Sequence, residues 1–69
     1  MFLVKPTALA IGTRVRMLAM NDPVAVPSGT LGTVVNCMDK GPWILIGVHW
    51  DDGRKLGLAV PPDRYEVVT

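Results

Sequence analysis

The polar residues of this chain that could do chemistry are few. His49, Asp51 and Asp52 stand almost side by side, an imidazole and two carboxylates that could hold a divalent cation or share a proton. On an extended strand His49 and Asp51 would point to the same side. Asp51-Asp52-Gly53, however, is the sequence of a tight turn, where aspartates bond the local backbone and glycine supplies positive φ. With one His and one Cys in the chain, the four ligands of a closed zinc site are not available. Ser28 and Cys37 are candidate nucleophiles, but each needs a base and a third group to orient it, and His49 is the only imidazole. Cys37 is better read as a small hydrophobe. The chain is therefore expected to be no enzyme, with no metal and no cofactor. Trp43 offers a different kind of chemistry, that of a large, stiff contact residue near rigid prolines.

The elements that position these residues must fit in 69 residues, enough for one domain with a small core. A lone Cys37 excludes an internal disulfide and points to a reducing cytoplasm. Seven Lys and Arg against six Asp and Glu give a net charge of +1. The basic residues are spread along the chain, with one small concentration at Arg14, Arg16, Arg54 and Lys55 read as solvated strand faces, so nucleic acid is not the expected partner. The apolar start Met1–Ile11 has no basic segment ahead of it and is broken by Lys5-Pro6, so it is neither a signal peptide nor a membrane span.

Six Pro and seven Gly punctuate the chain as in an all-β domain. The first strand is expected at Thr13–Leu18, although Ile11, Val15, Leu18 and Ala19 would also make a helical stripe. A long loop, Ala19–Gly29, carries Asn21-Asp22-Pro23 and Pro27-Ser28-Gly29. The second strand is Thr30–Met38, with Gly32 a bulge or a place of close backbone approach. Trp43–Trp50 is the clearest strand, with Ile44, Ile46, Val48 and Trp50 on one face and Trp43, Leu45, Gly47 and His49 on the other. Arg54–Val60 follows the Asp-Gly turn, Pro61–Arg64 suits a short 3₁₀ turn, and Tyr65–Val68 closes the chain. Long loop, short turn, tight hairpin and final turn, in that order, give a small five-stranded SH3-like barrel over residues 12–69, with residues 1–11 an apolar N-terminal extension. The expected core is Val15, Met17, Val34, Ile46, Val48, Trp50, Leu56, Leu58 and Val67.

The run Gly12-Thr13-Arg14-Val15-Arg16-Met17, then Asp22-Pro23 and Pro27-Ser28-Gly29-Thr30-Leu31-Gly32-Thr33-Val34, resembles a small prokaryotic and phage family. So do Val48-His49-Trp50-Asp51-Asp52-Gly53, Leu56-Gly57-Leu58 and Asp63-Arg64-Tyr65-Glu66. The family is numbered 4314 among the domains of unknown function. The resemblance runs from Gly12 to Val68 and implies the barrel without implying an activity. The order of elements is also similar in outline to the type II dihydrofolate reductases. Their Val-Gln-Ile-Tyr run is missing, since the chain has no Gln and carries Lys55-Leu56-Gly57-Leu58-Ala59-Val60 there.

The expected function is a non-catalytic protein-binding or assembly module of a bacterial or phage cytoplasm, its partner protein unidentified. A nucleic-acid accessory module is the alternative, and a dihydrofolate-reductase-like enzyme stands behind both. In an SH3-like barrel the first loop, the turn before the third strand and the last turn converge. The expected contact residues are therefore Asp22, Pro23, Trp43, Pro61, Arg64 and Tyr65. True SH3 domains add aromatics from the first loop. Here that loop has none, so a proline-rich ligand is not expected. Phe2 and Leu3 are the expected contacts of a homo-oligomer.

Overall fold

Gly12, at φ 94°, turns the chain into β1 (Arg14–Ala19). The helical alternative is not taken up. Val15 and Met17 are buried while Arg14 and Arg16 alternate with them, the period of a strand. The computed structural model describes residues 9–20, 22 and 25–68. Their strands are β1, β2 (Leu31–Asp39), β3 (Ile44–Trp50), β4 (Leu58–Val60) and β5 (Arg64–Val67), with no helix among the described residues. All neighbours are antiparallel, in the order β4-β3-β2-β1-β5. The sheet wraps one core. Tyr65 on β5 and Cys37 on β2 are separated in the sheet by β1, yet they lie near enough to interact. No ladder joins β4 to β5 among the described residues, so the barrel expected from the sequence is left open along one side.

Two features of the chain keep it open. β4 spans only Leu58–Val60, not the expected Arg54–Val60. Past the hairpin the Trp50 N–H still donates to the Arg54 carbonyl (2.8 Å), but pairing with β3 resumes only at Ile46 and Leu58. Between them the Leu56 carbonyl turns away to accept the Trp50 indole N–H at 2.7 Å. Pro61 and Pro62, which have no N–H to donate, then end the strand. Residues 61–63 form a plain turn and not a 3₁₀ helix.

The core holds Val15, Met17, Val26, Val34, Ile44, Ile46, Val48, Trp50 and Leu58. Leu56 packs at its margin, half-buried. Val67 does not belong to it. Although it lies opposite Val15, which is fully buried, Val67 is 49% exposed, because β5 is the last strand of the sheet and no described strand covers its flank. Val26, from the long first loop, fills the core in its stead. The bulge of β2 is at Val35, between the pairs Val34–Val48 and Asn36–Gly47. It moves the inward positions from Gly32 and Val34 to Cys37. Gly32 is instead a point of close approach, since a Cβ there would come within 2.6 Å of Val48 Cγ1 and 2.7 Å of Trp50 Cε3.

Candidate functional site

The cluster at the β3–β4 turn is structural. Gly53, at φ 95°, completes a hairpin loop in which its N–H donates to the Trp50 carbonyl at 3.0 Å. Asp52 accepts the Arg54 N–H (3.0 Å) and faces Arg54 Nε at 3.3 Å. Asp51 takes a two-pronged contact from Arg14, at 2.9 and 2.6 Å, and Arg14 also donates to Thr33 Oγ1 at 2.8 Å. Arg14 holds the Asp51 carboxyl below its ordinary range, chiefly through these hydrogen bonds, and Asp51 in turn raises the guanidinium. His49 is exposed and sits opposite Thr33. No three potential metal ligands come together among the described residues.

The basic concentration is likewise spent on internal pairs. Arg16 meets Glu66 at 2.5 Å, and Arg54 donates to the Ala25 carbonyl at 2.8 Å besides contacting Asp52. Three of the arginines, Arg14, Arg16 and Arg54, are thus engaged in internal pairs, which leaves less positive charge to meet a phosphate chain.

The outer face of β2, β3 and β4 differs. Met38, Leu45 and Ala59 lie abreast on three neighbouring strands, and Met38 is 51% exposed. Beside that row the Asn36 amide lies over Gly47, where a Cβ would make it shift aside. On the other side, Gly41 at φ 89° and Pro42 reverse the chain, and the Lys40 N–H donates to the Trp43 carbonyl at 2.9 Å. Trp43 is half-buried and stands outside the core cluster. Pro61, exposed, follows Val60, the partner of Ile44, where the β3–β4 ladder ends.

Of the expected contact residues, Trp43 is half-buried just before β3 and Pro61 is exposed just past β4. Tyr65 turns inward and packs on the core, where burial, with Cys37 nearby, pushes its phenol up. Arg64 is exposed on β5 opposite Ala19, at the foot of the loop that carries the half-buried Asp22. Pro23, Phe2 and Leu3 lie outside the described residues. Met38 and Leu45 were not among the expected contacts. Their signal was apolar side chains on the alternate, outward positions of β2 and β3.

No curated protein and no solved structure matches the chain. Residues 6–68 match the family described as Domain of unknown function (DUF4314), a span that begins before Gly12 and takes in the whole sheet. With its sheet and nearly its whole length inside that match, the chain belongs to the DUF4314 family.

Proposed function

We propose that this protein is a non-catalytic protein-binding module of a bacterial or phage cytoplasm, and that it meets its partner through the outer face around Trp43. One observation carries the reading: Trp43 is half-buried without joining the core, next to the apolar row of Met38 and Leu45. A stiff aromatic in such a setting anchors contacts at low entropic cost, and the surrounding turn residues supply a polar rim. The ion pairs of the opposite half favour a protein over a nucleic acid, because Arg14, Arg16 and Arg54 are already engaged.

The test is to isolate host proteins held by the wild-type chain and to measure each purified pair with wild type and Trp43→Ala. The reading expects a loss of about 2 kcal/mol or more for the true partner. Equal affinity of both forms for every partner recovered would overturn it.

A further inference from the structure

The sheet has two free flanks, and only one of them is sealed. In β4 the backbone of Ala59 points away from β3, because the hydrogen-bonded partners on that side follow the phase set by Trp50 and Arg54. Asp63 closes both groups. Its N–H donates to the Ala59 carbonyl and its carboxylate accepts the Ala59 N–H, each at 2.9 Å. Pro61 and Pro62 guard the end of the strand.

β5 has no such device. Its Val68 N–H donates to the Arg14 carbonyl at 2.8 Å, which fixes the phase of the β1–β5 ladder. Glu66 and Val68 therefore turn their backbone groups toward β1, whereas Tyr65 and Val67 turn theirs outward. Among the described residues no strand lies beyond β5, and Val67 is half-exposed on the core side of that flank. β5 contains no Pro, and its two charges, Arg64 and Glu66, are opposite in sign, so they discourage an unrelated strand while leaving room for a complementary one.

We infer that β5 pairs with β5 of a second copy, antiparallel about a two-fold axis, joining the two sheets edge to edge. The outward backbone groups allow Tyr65 to face Tyr65 of the second copy as a hydrogen-bonded pair, and the charges select this alignment over its neighbour. That alignment sets Arg64 directly opposite Glu66 of the second copy, twice over by symmetry. Shifting the strands by one hydrogen-bonded step would instead set Glu66 against Glu66. Arg64 makes no ion pair with a carboxylate of the described residues, so it is available for this role. On the core face, Val67 of each copy would lie diagonal to the other Tyr65 ring, within reach of an aromatic side chain. The same patch serves both copies, the form that closes at a dimer.

Analytical ultracentrifugation of the full chain over a concentration series tests this, with three variants. The wild type should dimerise. Val67→Pro removes an N–H that β1 does not use, so it should be a monomer with an unchanged sheet spectrum. Arg64→Glu and Glu66→Arg should each associate about tenfold more weakly or worse, because like charges then face each other. An equimolar mixture of those two should recover a heterodimer, since both cross-strand pairs become opposite again. A wild type that stays monomeric, a dimer that survives Val67→Pro, or a mixture that fails to recover would each overturn the inference. Deleting residues 1–8 should leave the dimer intact, and its loss would place the contact on that segment. None of these outcomes depends on Trp43, so the dimer and the partner surface stand or fall separately.

Discussion

The two flanks of this sheet are built to opposite ends. β4 is short, bounded by Pro61-Pro62, and has its outward backbone groups tied to Asp63; its one inward side chain at full depth, Leu58, is 0% exposed. Among the described residues β5's outward amides enter no ladder, and its core-side Val67 is 49% exposed. No ladder joins β4 to β5 among the described residues, so each flank is dealt with locally. The difference teaches that, among the described residues, one flank is finished by the chain's own groups while the other is left open. The sealed flank also borders the apolar outer face around Trp43, which keeps partner binding there distinct from strand addition.

The largest effects should follow burial. Leu58→Ala on β4 should cost about 2–5 kcal/mol and Trp50→Ala about 3–5 kcal/mol. Val67→Ala on β5 should cost under about 1 kcal/mol in the monomer, in keeping with surface changes. Urea unfolding checks the contrast. Equal losses at Leu58 and Val67 would show that β5 is as well covered as β4. Trp43→Ala should behave like Val67→Ala in the same assay, in line with its place outside the core.

A middle-sized effect belongs to the seal itself. Asp63→Ala leaves the Ala59 N–H without its carboxylate, and should cost about 1–3 kcal/mol. Hydrogen exchange at Ala59 should quicken at the same time. If exchange there is unchanged, Asp63 does not seal the strand.

The smallest effect concerns the ion pair that ties β1 to the hairpin. Arg14 holds Asp51 below 3.8, so the folded state releases that proton more readily than the unfolded chain. The stabilisation is present above the unfolded pKa and is lost as pH falls through the folded value. Thermal melts should therefore be flat in this respect near neutrality and fall below about pH 4. Asp51→Asn should flatten part of that slope. An identical acid limb in the variant would mean the pair adds nothing to stability.

How much of this was legible follows from the same physics. The alternation of Ile44, Ile46, Val48 and Trp50 gave β3 and its inward face directly, and parity placed Trp43 on the opposite side. The bulge at Val35 was not legible, because Thr33-Val34-Val35 is β-branched throughout and suits either register. Val67 was read as core from parity, which reports the side a residue faces and not whether anything lies over it. Val26 carried no periodic signal in its loop. Of the proposed contact surface, the order of elements placed Trp43 just before β3 and Pro61 just past β4. Tyr65 could not be placed, since an aromatic at the start of a last strand serves a core or a surface equally well. The closure of Ala59 by Asp63 depends on how the Pro-Pro turn bends, which no spacing rule supplies.

The most direct measurement is residue-resolved amide hydrogen exchange of the wild-type chain at low and high protein concentration. At low concentration the account predicts slow exchange at Glu66 and Val68, which bond to β1, and fast exchange at Tyr65 and Val67. Raising the concentration should slow Tyr65 and Val67 while leaving Ala59 as it was. Protection of Tyr65 and Val67 that is already complete in dilute solution, or that never changes with concentration, would contradict the claim that β5 is the open flank through which two copies meet.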